Sequence, residues 1–325
     1  AAIHPASRLR GFHNTPVAGV LGAAAACAVL LTLDRTKLAH AIGIAASSAA
    51  GIFAFINGGG EIKRLHPGHA AREGLFAALL ARDGMTGPRN VIEIEDGILQ
   101  AFGSGGGVNA ILDGLGSSLG VARCYIKPYA ACRHIHPALD AVSDVVARNG
   151  LDADAIERID IGTYAIAEKH ARGQADTMAS AQLNYQYCVA LVAAGRKVFI
   201  EDFDPLSLKN PVLTGLARRV QVVVDQECDA DYPRLRAAKV RVTTKTGEQY
   251  ENRIDTPRGS PENPLSEEEV ETKFLAISTP VLGADHAEAV RQMVASLFEQ
   301  DDASSLLNLC TGPDSEKSDL AGAGA

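Results

Sequence analysis

"LGVARCYIKPYAACRHIHPALDAVSDVVARNG", residues 119–150, is where the chain changes texture. Its first half is interrupted by a proline beside Lys127, and its second half reads as a helix over 137–149. Upstream, the apolar spacing is helical throughout. A helix over 16–33 carries Pro16 in its first turn. The next, within 34–53, has Asp34 as N-cap and apolar Leu38, Ile42, Ala45 and Ala46. A third, over 69–84, sets Leu75, Leu79 and Leu80 on one face and closes at Gly84, with "HPGH" (66–69) as the turn before it. Downstream, Ile156, Ile159 and Ile161 alternate with polar residues as a strand does, and Gly195 closes a helix that begins near Ala181. "RRVQVVVDQEC" (218–228) and "AKVRVTTKTGEQYENRID" (238–255) add strands, the last pair turning at "KTG". Past the Pro-rich stretch 256–266, Ser266 and Glu269 form a capping box, and a further helix spans about 285–299. The expected fold is mainly α with an inserted α+β lid. A discontinuous helical domain of 1–122 and 264–325 carries a smaller α+β domain of 123–263, and the last residues, from 312, read as disordered.

Composition narrows the function classes. With no Trp, a 5 % aromatic share and 46 % hydrophobic residues, the core must be built on Ala, Leu, Ile and Val, whose small members let helices approach closely. A net charge of −8 argues against nucleic acid or an anionic membrane as the main partner. The apolar run 17–33 is rich in Ala and Gly and reads as a buried helix rather than a membrane span. Six scattered cysteines without a C-x-x-C pair, and a first segment lacking the apolar run of a signal peptide, lead us to expect a reduced, cytoplasmic protein.

Four clusters of polar residues carry chemistry. In "GFHNTPVAG" (11–19), His13 stands before a helix start, where a bound carboxylate gains from free N–H groups; the residue could equally cap or pack. "GGGEIKRLHPGHAAREG" (58–74) gathers Lys63, Arg64, His66, His69 and Arg72 in an acidic chain. It lacks the lysine spacing of a phosphate loop, and no carboxylate accompanies the two histidines as in a zinc site. Lys63 is better placed for an anionic substrate, with a solvated loop as the alternative. "KPYAACRHIHPALDA" (127–141) offers Lys127, Arg133, His134 and His136, with Arg133 able to clamp a carboxylate in two places. A Cys132–His134 dyad is disfavoured, because near neighbours rarely orient as one. In "SAQLNYQYCVA" (180–190), Tyr185 or Tyr187 could hydrogen-bond a substrate oxygen, though helical aromatics more often pack.

In this order, the segments "RGFHNTPVAGVLGAAAACAVLLTLD", "IKRLHPGHAAREGLFAALLARDGMTGP", "KPYAACRHIHPALDA" and "AQLNYQYCVA" resemble the MmgE/PrpD family, over residues 8 to 312. That family includes 2-methylcitrate dehydratases, cis-aconitate decarboxylases and iminodisuccinate epimerases. The resemblance implies a helical domain from both chain ends with an α+β lid, a homodimer, and a site between the domains for a small polycarboxylate, without metal or organic cofactor. It places the catalytic roles on His13, Lys63, Lys127 and Tyr187, and substrate contacts on Arg64, His66, Arg133, His134 and Tyr185. His66 and His69 are expected mainly to shape the turn and the helix after it. Family members usually carry over a hundred residues before the G-F-H segment, including helices that add an acidic residue and a histidine. Here those helices are expected from a longer gene product or another polypeptide.

The expected activity is a carbon–oxygen lyase, dehydrating a 2-methylcitrate-like substrate by proton abstraction beside a carboxylate. Epimerisation of an imino-dicarboxylate is the runner-up, followed by decarboxylation of cis-aconitate and by a silent carboxylate-binding relative. In each active case cations offset the charge that develops next to a carboxylate. Lys63 and Lys127 are expected to hold carboxylates, His13 to move the proton, and Tyr187 to complete the transfer.

Overall fold

The computed structural model describes residues 2–58, 62–103 and 107–310. Most of the "GGGE" stretch that invited the phosphate-loop comparison, residues 59–61, and the tail from 311 lie outside the described residues. The chain forms two compact units, one of residues up to 123 together with 129–257, the other of 124–128 with 258 onward.

The first unit begins with a three-helix layer: α1 (Asn14–Leu30), α2 (Arg35–Ala46) and α3 (Ile62–Arg82). Asp34 caps α2 as its sequence suggests, accepting the Lys37 N–H at 2.9 Å. The leucine face expected for α3 is not the one that packs. Leu75 is exposed, as is Phe76, whereas Ala70, Gly74, Ala77, Ala78 and Ala81 are buried. They face Val20, Ala24 and Ala28 of α1 and Ala41 and Ala45 of α2. Close approach decides the outcome: a methyl built on Gly74 would stand 2.4 Å from the Ala23 Cβ and 2.8 Å from the Val20 carbonyl oxygen. Larger side chains cannot enter that seam, so Leu75 stays outside it while Leu79 and Leu80 are half-buried.

"HPGH" also departs from expectation, lying inside α3 instead of before it. Pro67 is near the start of the described helix, where few N–H groups have intrahelical acceptors. It therefore removes little beyond the bond that the Lys63 carbonyl would accept from position 67. Gly84 has a positive φ of 102°, which suits the chain reversal after α3.

The rest of this unit is α+β. β1 (Ile156–Thr163) pairs in parallel with β2 (Val220–Val224) and antiparallel with β3 (Ala238–Thr244), which pairs antiparallel with β4 (Gln249–Ile254). The sheet order is therefore β2-β1-β3-β4, with the last hairpin turning at Lys245–Gly247. Ile159 and Ile161 are fully buried, as alternation along a core-facing strand implies, and Ile156, three positions earlier, is buried too because the register shifts between Ile156 and Arg158. α4 (His136–Asn149) packs on β3 and β4, and α5 (Tyr185–Ala193) on α4 and β2. Leu139, Val142 and Leu191 join the isoleucines in one hydrophobic core. The mainly helical reading with a small α+β part is borne out.

In the second unit, Ser266 caps α6 (Glu267–Leu282): its hydroxyl accepts the Glu269 N–H at 3.2 Å, and the Glu269 carboxylate accepts the Ser266 N–H at 2.9 Å. α7 follows at Ala284–Ala295, stopping four residues short of the expected end. The segment carrying Lys127 joins this unit through the Ile126 N–H, which donates to the Gly259 carbonyl at 2.9 Å. Among the described residues no helix is long and apolar enough to cross a membrane; the 17–33 run lies largely in α1 and buries Val17, Val20, Ala24 and Ala28.

Candidate active site

His13 is the N-cap residue of α1, with extended backbone and no capping bond from its side chain. Its position is set by a short antiparallel bridge. The His13 N–H donates to the Gly51 carbonyl at 3.0 Å, and the Phe53 N–H donates to the Gly11 carbonyl at 2.7 Å. The bridge brings Phe53 and Phe55 edge-on to the imidazole, with ring centroids 5.4 and 5.2 Å away. On its open side the His13 Nδ1 lies 2.7 Å from the Nδ1 of His66, so one ring must donate and the other accept. His66 is only 6 % exposed, and this contact replaces the turn-shaping role expected of it. The H-x-x-H pair does not converge: His69 turns to Arg72 instead, Nε2 to guanidinium at 2.8 Å.

Two cations complete this corner. The Lys63 ammonium is 5.9 Å from the Phe55 ring centroid, and the Arg8 guanidinium lies 3.5 Å over Phe53. Burial, then the fields of His66, Lys63 and Arg8, push the His13 pKa down to about 4. At neutral pH the ring is therefore uncharged, with Lys63 and Arg8 as positive charges beside it. Burial, and secondarily His69, lowers His66 as well.

A stability profile follows from this. Between the ordinary pKa of 6.5 and the folded value of about 4, the unfolded chain takes up a proton at His13 that the folded chain refuses. Its contribution is thus fully present above 6.5 and is lost as pH falls through 4. We expect the melting temperature to drop from pH 7 to pH 4, and to drop less steeply in His13→Gln, where His66 and His134 still contribute in the same direction. Identical profiles for the two proteins would contradict the environment described here.

The remaining residues singled out from the sequence divide clearly. Arg64 donates to the Met178 sulfur at 3.4 Å. Arg133 is 5 % exposed, and its guanidinium contacts the His136 Nδ1 and the Pro257 carbonyl, each at 3.0 Å. His134 approaches the Tyr164 hydroxyl with its Nδ1 at 2.7 Å. Tyr187 is buried and donates its hydroxyl to the Asp202 carbonyl at 2.8 Å; burial, then Asp202, pushes its pKa up to about 12. Tyr185 is fully buried, its hydroxyl near Thr163 without a well-formed hydrogen bond, and burial raises its pKa strongly. The two tyrosines, like Arg133, are thus engaged with the protein's own interior. Lys127 belongs to the second unit.

Sequence reasoning passes over Arg8, Phe53, Phe55 and His170. None lies in a recognisable motif; the bridge at residue 52 and the packing of the α+β part bring them in. Cys132 does not pair with His134 but faces His170, Sγ to Nε2 at 3.5 Å. His134 stacks on the far partner, its ring centroid 5.6 Å from that of His170. From there a polar path runs through Tyr164, which stacks on Tyr232 at 4.6 Å, to His4, whose Nε2 is 3.0 Å from the Tyr232 hydroxyl.

Residues 1–110 match the model of the MmgE/PrpD N-terminal domain, and residues 129–299 that of the MmgE/PrpD C-terminal domain. The chain is 28 % identical over 320 residues to a cis-aconitate decarboxylase-like protein of Aspergillus oryzae, covering 93 % of this chain and 66 % of that one. It is 26 % identical to a cis-aconitate decarboxylase of Aspergillus terreus and 28 % identical to the human cis-aconitate decarboxylase. Each match again covers 93 % of this chain, with 65 % and 63 % of the relative. The chain thus spans about two thirds of the length of the curated relatives it matches. With both domain models matched in order, the chain belongs to the MmgE/PrpD family.

Proposed function

We propose that this chain is, or is part of, a cofactor-independent lyase acting on a small tricarboxylate of the cis-aconitate type. The observation that carries the reading is His13: an uncharged imidazole, held by His66 and two phenylalanines, with Lys63 and Arg8 beside it. A base in that setting can work next to a substrate carboxylate, because the cations offset the negative charge that accumulates during reaction. The names of the relatives favour decarboxylation over the dehydration expected from the sequence, with a 2-methylcitrate-like substrate as the second reading. Lys63 would hold one carboxylate and His13 would serve as the base; Lys127 keeps the role of carboxylate anchor that the resemblance gives it. The helical domain of 1–122 and 264–325, the lid of 123–263, and a homodimeric, cytoplasmic enzyme belong to the same proposal.

A proton NMR time course in deuterium oxide tests it, with citrate, 2-methylcitrate, cis-aconitate and iminodisuccinate as the panel. We expect cis-aconitate to lose carbon dioxide and its product to carry deuterium from solvent. Water loss from 2-methylcitrate would restore the dehydratase reading, and exchange without net loss from iminodisuccinate the epimerase reading. Silence of the folded protein across the panel would overturn lyase activity for the chain.

A further inference from the structure

The proposed reaction leaves one requirement unmet. When a carboxylate departs as carbon dioxide, the bonding electron pair stays on carbon, and a proton must reach the carbon where that charge collects. His13, uncharged at neutral pH, is set to accept a proton rather than to deliver one. A different pair of side chains is built to hold one.

Cys132 and His170 meet at 3.5 Å, and two consecutive carbonyls lock them together. The Cys132 backbone N–H donates to the Gln182 carbonyl at 2.8 Å, and the His170 Nδ1 donates to the Leu183 carbonyl at 3.0 Å. The "AQLN" segment, which in the sequence reads as a tyrosine-bearing helix start, is thus the clamp for this pair. Because Nδ1 must carry hydrogen to reach Leu183, the Nε2 alone faces the sulfur. His134 stacks on the other ring and is itself held by Tyr164, so His170 has little freedom to turn.

The pair is 8 % and 2 % exposed at Cys132 and His170, and it reaches open space on the His170 side. His170 lines a cavity of about 400 Å³ with Arg172, Thr177, Asn184 and Ile56. Ile56 follows directly on Phe55, which packs against His13 and lies beneath Lys63. Burial by itself would raise the thiol, but the charge and hydrogen bond of His170 outweigh it, with Lys63 assisting, and bring it down to about 6. The same contact raises His170 against the opposing effect of its own burial. The charged and titratable groups around the sulfur are Lys63, Arg8 and His134, and the neutral Tyr164, Tyr185 and Cys188.

We propose that Cys132 and His170 form a thiolate–imidazolium pair that delivers the proton completing the reaction. The step rests on the lyase reading above. The carbon–carboxylate bond breaks and its electron pair remains as a carbanion conjugated with a remaining carboxylate. The proton on His170 Nε2 passes through the Cys132 sulfur to carbon. The pair ends as thiolate and neutral imidazole, and water restores the proton.

The test separates the pair from the reaction. The ultraviolet absorbance of one thiolate should be present in the folded protein at neutral pH and disappear in Cys132→Ser and in His170→Gln, without any substrate. With cis-aconitate, Cys132→Ser and Cys132→Ala should lower kcat about 10²–10⁴-fold with KM changed only a few-fold. Cys188→Ala, removing a neighbouring buried thiol, should turn over normally. Absence of the thiolate in the parent protein would overturn the proposal, as would full kcat in a folded Cys132→Ser. If the parent turns over no tricarboxylate, the lyase reading fails, while the absorbance still decides whether the pair exists.

Discussion

His13→Ala is expected to lower kcat about 10²–10⁴-fold while the protein stays folded, the usual loss when a positioned acid–base group is removed. The imidazole is half-buried against Phe53, Phe55 and His66, so truncation opens space beside the Phe55 edge of the hydrophobic core but removes no core side chain itself. Lys63→Ala should fail in another way, raising KM as well as lowering kcat, because it removes a carboxylate anchor along with part of the field that keeps His13 uncharged. Circular dichroism and a melting curve, run beside steady-state kinetics on the tricarboxylate that the parent turns over, separate lost chemistry from lost structure. A folded His13→Ala protein with full activity would remove this histidine from the mechanism.

The second large effect concerns the helical seam, where two principles oppose each other. In an exposed helix interior, replacing Gly by Ala gains up to about 1 kcal/mol, because glycine loses the most backbone freedom on folding. Gly68 in α3 is such a position, where an added methyl would meet nothing within 4 Å. Gly74, six residues on, would place the same methyl 2.4 Å from the Ala23 Cβ and 2.7 Å from the Ala24 backbone nitrogen. Backbone cannot yield there without parting α1 from α3. We expect Gly68→Ala to raise the melting temperature and Gly74→Ala to lower it. Gly74→Val should cost about 3 kcal/mol, a fall of roughly 4 °C for a chain of this size. A Gly74→Ala protein as stable as its parent would mean that helix propensity, not contact, governs this seam.

The same seam marks where the sequence can be read and where it cannot. Local chemistry is legible: Asp34 and Ser266 cap their helices, and Ile159 and Ile161 face the core as their alternation requires. Each is settled within a few residues. Which face of α3 packs is not legible, because leucine is the stronger hydrophobic signal, and only the separation between helices reveals that small residues must line the contact. The site divides along the same line. His13, Lys63 and His66 stand in motifs and converge in space. His170 stands 38 positions from Cys132 and carries no motif, so the strand and turns between them must be folded before the pair can be recognised. Tyr185 and Tyr187 draw attention as polar aromatics, while the backbone carbonyls just before them hold the chemistry in place.

The bond between His4 and Tyr232 joins residues 228 positions apart. In kinetic terms, it ties the segment before the cationic corner to a contact of very long sequence separation. Contacts that close such long loops must meet the entropic cost of closure before they contribute anything, so they form late. The helical seam of α1, α2 and α3, whose members lie close in sequence, can condense well before. A ribosome-bound chain would therefore carry a packed helical layer for some time with no working site upon it. The His4 side of the site would gain its tie to Tyr232 only near the end of folding, when the segment around residue 232 is available to close that loop.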